Sequence, residues 1–190
     1  MASWEAWKNR FCAALVVGMA STSAMSADLS VSAPATVTQG SPLTVNVLIS
    51  GITDLYGYQF NLSFNPAVLQ ASTVTEGSFL SGAGSTFFGG GTINNTTGTI
   101  SFVFDSLIGA IPGASGSGVL ASISFTTPGL GTSPMSFSNT LFLDSNSAAI
   151  AVNSLTGSVQ VTPVPEPAAY LLLGAGLAGL AIRRRQLAAA

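Results

Sequence analysis

Leu55-Tyr56-Gly57-Tyr58-Gln59-Phe60-Asn61-Leu62-Ser63-Phe64-Asn65-Pro66 is the stretch whose reading decides the fold. Tyr56, Tyr58, Phe60, Leu62 and Phe64 recur at every second position, with Gly, Gln, Asn and Ser between them. Successive side chains of a β-strand point to opposite faces, so this period predicts a strand with one buried face. Pro66 ends the run, since proline lacks the N–H that the next rung of a ladder would use.

Reading outward from that strand, the same texture fills residues 28–162. Upstream, Leu43, Val45, Val47 and Ile49 share one face of a separate strand that follows Gln39-Gly40-Ser41-Pro42, and Val31, Ala33 and Ala35 fit an earlier one. Downstream, Val68, Leu69 and Val74 mark a short strand between Pro66 and Gly77. Phe87, Phe88 and Ile93 lead to the turn Asn94-Asn95-Thr96-Thr97-Gly98. Beyond that turn Ile100, Phe102 and Phe104 alternate with Ser101, Val103 and Asp105, which predicts a hairpin with its aromatic residues on one face. Gly109 to Gly118 reads as a Gly/Ser/Pro loop. Val119, Ala121, Ile123 and Phe125 follow, then Met135 and Phe137, Leu141 and Leu143, Ile150 and Val152, and finally Val159 and Val161. Many short alternating strands without helical periodicity predict an all-β protein, an antiparallel sandwich or jelly roll.

The two ends differ from this body. Lys8 and Arg10, the apolar Phe11–Met19 and the small residues Ala20–Ala27 have the layout of a secretory signal peptide over 1–27, with cleavage after Ala24 or Ser26. Residues 163–167 form a stiff Pro-rich linker. An apolar run from Ala168 to Ile182 and the cluster Arg183-Arg184-Arg185 then predict a transmembrane helix and basic cytoplasmic tail over 168–190. The run is shorter than the usual ~20 residues, and flanking side chains extend it by snorkelling. The arginines stay in the cytoplasm, which leaves the β-domain outside.

Pro165-Glu166-Pro167, the apolar run and Arg183, Arg184 and Arg185, in that order, resemble a PEP-CTERM sorting signal. The resemblance implies an exosortase as processing partner, cutting near Pro165-Glu166-Pro167. The body resembles a cohesin module, a jelly-roll β-sandwich. Five ordered pieces carry that resemblance: Thr36 to Val45, Leu55 to Leu69, Glu76-Gly77-Ser78-Phe79-Leu80, Gly118 to Phe125, and Gly157-Ser158-Val159-Gln160-Val161. It implies binding of a protein module of the dockerin kind, or of a polysaccharide. Asn65 departs from the pattern, standing where dockerin-binding cohesins often carry Asp, and Gly82–Gly91 is unusually rich in glycine.

Charge excludes more than it assigns. No Lys or Arg lies between residues 11 and 182, so the body cannot neutralise phosphates and nucleic acid is excluded as a partner. The chain has no histidine, and its one cysteine, Cys12, lies in the predicted signal peptide. Ser-His-Asp and Cys-His catalysis therefore cannot be assembled in the mature domain. Asp54, Glu76, Asp105 and Asp144 are the candidates for a glycosidase-like pair. Their scatter predicts solvated surface carboxylates that do not converge. Asp144-Ser145-Asn146 offers alternate oxygens that would suit Ca²⁺, but a side-chain-bonded turn accounts for the same residues. Tyr56 and Tyr58 share the parity of the core, and the two glycine-rich segments read either as binding loops or as mobile connections. The reading is an exported, non-catalytic envelope or matrix protein with no cofactor or metal. The rival is a polysaccharide-active enzyme using a carboxylate pair.

Overall fold

The structure is a computed structural model and describes residues 26–164, together with 173, 174, 176, 177 and 184. The expected signal peptide through residue 25, and Pro165, Glu166, Pro167, Arg183 and Arg185, lie outside the described residues, as does most of the expected membrane span. Among the described residues no helix is long and apolar enough to cross a membrane.

Ten strands and one helical turn succeed one another: β1 Ala27–Ser32, β2 Thr36–Thr38, β3 Leu43–Ser63, β4 Gln70–Glu76, α1 Ser78–Ser81, β5 Thr92–Asn94, β6 Thr99–Ser106, β7 Ala114–Thr126, β8 Gly131–Asp144, β9 Val152–Ser154 and β10 Gly157–Thr162. The organising element is β3. Sequence reading expects two strands here, yet the chain runs as one 21-residue strand. Gly51 and Asp54 take positive φ (68° and 57°), and register shifts between Ile49 and Leu55 bend the strand without ending it. Its first half lies between β1 and β7, and its second half between β6 and β8, all antiparallel. Two layers result, β9-β1-β3-β7-β4 and β5-β6-β3-β8, with β3 passing from one to the other. The start of β8 continues into β10, which pairs in parallel with β2.

The alternation read from the sequence is what fills the space between the layers. Leu43, Val45, Val47 and Ile49 are buried, as are Tyr58, Phe60, Leu62 and Phe64. Phe60 stacks on Tyr58 (5.9 Å between ring centres) and meets the edge of Phe137 (5.6 Å). Each such side chain contributes roughly 1.5–3 kcal/mol on leaving water.

Three local expectations change. β7 begins at Ala114, so half of the expected Gly109–Gly118 loop is strand. Gly118 is needed there, because a Cβ would stand 2.7 Å from the Phe79 ring. The glycine-rich segment 82–91 packs along β6: Phe87 and Gly89 N–H donate to the carbonyls of Ser106 and Phe104, and Ile108 N–H donates to that of Ser85. The hairpin β5–β6 forms as expected, but Phe102 and Phe104 do not face the core.

Candidate functional site

Two bulges sit opposite the same two-residue stretch of β3. On β6, Phe60 pairs with Val103 while Leu62 pairs with Ile100, so β6 carries one extra residue. On β8, Gln59 pairs with Leu141 while Asn61 pairs with Ser138, and β8 also carries one extra residue. Phe102 (φ 60°) and Asn139 (φ 49°) take the left-handed backbone that these insertions require. An extra residue reverses the parity of everything beyond it. Ile100 thus points inward, but so do Val103 and Asp105, while Phe102 turns out to solvent with 54% of its surface exposed. On β8 Phe142 takes the inward place and Leu141 faces out.

The outer face of this layer therefore carries an apolar set that the sequence pattern had assigned to the interior. In its central row Gln59 is flanked by Phe104 on one side and Leu141 on the other. In the next, Gly57 lies between Ser106 and Leu143. Because Gly57 has no side chain, a cleft of about 190 Å³ opens above it, lined by Phe102, Phe104, Leu141 and Leu143 among others. Phe102, Phe104 and Phe87 form an aromatic ladder, with centre-to-centre steps of 5.2 and 5.7 Å. Gly89 permits it: a Cβ there would come within 2.1 Å of the Phe104 ring.

The two bulges are unequal in strain. Asn tolerates left-handed backbone, whereas a bulky aromatic does so at a cost of roughly 1–3 kcal/mol. The Asn61 side chain offsets part of that cost, since its Oδ1 accepts the Phe102 N–H at 2.8 Å. An aromatic ring is thus held by a strained backbone on a solvent face beside other exposed apolar groups. Contiguous apolar surface of this kind is the physical mark of a contact site.

Of the four candidate carboxylates, expected to be scattered and solvated, Asp105 and Glu76 alone come together. Asp54 Oδ2 accepts the Ser145 hydroxyl (2.7 Å) and Asp54 Oδ1 accepts the Gly113 N–H (2.7 Å), ties that hold its carboxyl below the usual range in that order of effect. Asp144 Oδ1, one residue before Ser145, accepts the N–H groups of Asn146 and Ala148, both at 2.8 Å. That is the side-chain-bonded turn, so the oxygen considered for Ca²⁺ is engaged with backbone. Asp105 lies beside Glu76. Far from being solvated, Asp105 is 2% exposed; the β6 bulge turned it inward with Val103. Burial, then the Glu76 charge, push its carboxyl up to about 6. Glu76 is only half-buried, and its Oε1 accepts the Thr86 hydroxyl. Among the described residues no group of three or more His, Cys, Asp or Glu side chains is placed to hold a metal.

The tyrosines follow the core reading. The Tyr58 hydroxyl donates to the Leu120 carbonyl at 2.6 Å, and burial pushes its phenol up, with the charges of Asp105 and Glu76 adding. Half-buried Tyr56 donates to the carbonyl of Gly109. Asn65, the departure noted above, builds the turn after β3: its Oδ1 accepts the Ala67 N–H at 3.0 Å. Sequence reasoning missed Phe102, Phe104, Leu141 and Leu143 as surface residues, because no Gly or Pro announces either bulge.

With this geometry in view, comparison with known proteins identifies relatives. The family model described as cohesin domain matches residues 28–161, and that described as PEP-CTERM protein-sorting motif matches residues 163–185. No curated protein is similar enough to count as a match. Among solved structures, the second type II cohesin module from the cellulosomal adaptor ScaA scaffoldin of Acetivibrio cellulolyticus superposes with a TM-score of 0.62 at 18% identity, covering 74% of this chain and 99% of that one. The sixth cohesin of scaffoldin B from the same organism, in complex with a Cel5 dockerin mutant, gives 0.59 at 19% identity over 72% and 99%. A non-cellulosomal cohesin from the hyperthermophilic archaeon Archaeoglobus fulgidus gives 0.57 at 18% over 76% and 96%. At these identities the likeness speaks for the fold.

Proposed function

Because the chain belongs to the cohesin family and ends in a PEP-CTERM sorting motif, we propose that it is an exported docking module that receives another folded protein on the outer face of β5-β6-β3-β8. Cohesin domains are non-catalytic protein-interaction modules, and the motif is that of exported proteins sorted to the cell envelope. The observation that carries the reading is Phe102, exposed on strained backbone at the centre of an apolar face. The partner presents an apolar surface of its own, because the face offers Phe, Leu, Gln and Gly and no cation. The scaffoldin B relative is solved in complex with a dockerin, which favours a protein module as the partner. Residues 1–27 act as the signal peptide and 28–162 as the domain. The segment 163–167 is the linker and sorting site, and 168–190 a transient membrane anchor. In processing, Pro165, Glu166 and Pro167 mark the exosortase cut, and Arg183, Arg184 and Arg185 hold the cytoplasmic end.

Phe102→Asn tests the docking face, since Asn keeps the backbone conformation and removes the ring. Proteins of the envelope fraction retained by the wild-type chain should be retained at least tenfold less by this variant and by Leu141→Ser, both remaining folded. Retention that survives both changes sinks the docking face. Binding to a glycan array without protein retention favours a polysaccharide ligand instead. A glycan-cleaving activity lost on changing Asp54, Glu76, Asp105 or Asp144 to the amide or Gln would overturn the non-catalytic reading. Intact mass of surface material that still contains Arg183–Arg185 would remove the cleavage step.

A further inference from the structure

Asp105 is a buried acid without a counter-ion. Its Oδ1 accepts the Ser106 N–H at 2.8 Å, while its Oδ2 is sealed from solvent and has no partner. From β4 comes the Glu76 carboxyl, within hydrogen-bonding reach. From β3 comes Tyr58, whose hydroxyl is already committed to Leu120 on β7. No Lys, Arg or His lies between residues 11 and 182, so no cation of this domain neutralises the pair. Two carboxylates cannot donate to one another; a buried Oδ2 opposite a second carboxyl gains a hydrogen bond when one of them keeps its proton.

We propose that Asp105 keeps its proton beside the Glu76 carboxyl, and that this proton latches β4 to β6 and clamps the glycine-rich segment 82–91 over the aromatic face. Glu76 Oε1 accepts the Thr86 hydroxyl at 2.6 Å, which ties the segment to the pair. One residue on, Phe87 stands against Phe104, and the N–H groups of Phe87 and Gly89 donate to the carbonyls of Ser106 and Phe104, at 2.8 and 2.9 Å. Release of the proton leaves an uncompensated negative charge on buried Asp105 at the point where this segment is fastened, and the clamp weakens. The device therefore regulates the order of the aromatic face. Its evidence is internal to the fold and does not rest on a partner docking there.

The direction follows from linkage. A carboxyl that titrates near 6 in the closed form and near 4 once released stabilises the closed form fully below about pH 4. The benefit is lost as pH rises from about 4 to 6 and changes no further above that. Carboxyl NMR titration of the full chain should place Asp105 near 6. Hydrogen exchange, corrected for the intrinsic pH dependence, should show protection of the Phe87 and Gly89 amides falling about tenfold or more between pH 4.5 and 6.5 and levelling by pH 7.5. Asp105→Asn should flatten that profile. The wild-type titration decides the matter even if the variant does not fold. An Asp105 carboxyl that titrates below 4.5, or protection that follows the same pH course in Asp105→Asn, overturns the latch. Displacement of both carboxyl resonances by Ca²⁺ or Mg²⁺ at pH 7.5 overturns it in favour of a cation between them.

Discussion

The two halves of β3 share one strand and each buries every second residue, yet they present opposite surfaces to water. From Leu43 to Ile49 the inward residues are Leu, Val, Val and Ile. The outward side, with Thr44 and Asn46, meets Ser30 and Ser32 of β1 and Ser122 and Ser124 of β7. Hydroxyls and amides there satisfy one another, as where the Ser122 hydroxyl donates to Asn46 Oδ1 at 2.8 Å. From Gly57 to Ser63 the inward side is just as apolar, but the outward side meets Phe104 and Leu141. The difference lies in the neighbours and not in β3. β1 and β7 run in step with the first half through Val47, whereas β6 and β8 each insert a residue beside the second. A sheet face can thus be changed from polar to apolar by its flanking strands while the core-facing pattern stays intact.

The largest expected effect would show the two halves to be equal inside. Phe60→Ala and Ile49→Ala should each lower unfolding free energy in urea by about 2–5 kcal/mol, since both leave cavities in a sealed core. A loss confined to one half would break the view that one core serves both. Next comes the charge that the β6 bulge carried inward. Asp105→Asn should raise stability at pH 7 by about 1–2 kcal/mol, a displacement of two pH units being reduced by solvent screening. The advantage should vanish by about pH 4, where the wild-type carboxyl is protonated in both states. Asp54 has the opposite sign. Its carboxyl is held low by Ser145 and Gly113, so its contribution is present above about pH 4 and is lost on further acidification.

A smaller effect is expected at the bulge itself. Asn61→Ala removes the acceptor of the Phe102 N–H and should cost about 1 kcal/mol, together with order in the aromatic ladder. Asn46→Ala, its counterpart in the first half, should cost less, since it loses one bond to a hydroxyl. The smallest change in stability belongs to Phe102→Asn, within about 0.5 kcal/mol of wild type in thermal or urea unfolding. Large destabilisation there would mean that the ring supports the fold, and the contrast between a structural inner face and a displayed outer face would fail.

Most strands were legible because a half-buried strand writes its burial into the chain at a period of two. Val45, Val47, Phe60, Leu62, Ile123, Phe125, Val159 and Val161 all lie where that period places them. The family resemblances were legible for a related reason: ordered turns and strand ends such as Asn65-Pro66 and Gly157-Ser158 leave short, local marks. The outward apolar face was not legible. Phe102 and Phe104 continue the parity of Ile100, and Leu141 and Leu143 that of Met135 and Phe137, so period alone consigns all four to the core. Asp105 was misread in the same way, since it enters the interior by the bulge that expels Phe102.

By itself, then, the sequence determined an acidic, histidine-free β-sandwich of the cohesin kind with a sorting motif behind it, because alternation, composition and short motifs are local properties of the chain. Tertiary structure alone decided which apolar residues meet water and which carboxylates meet each other. Both outcomes depend on register between strands far apart in sequence, and one inserted residue reverses every side chain beyond it.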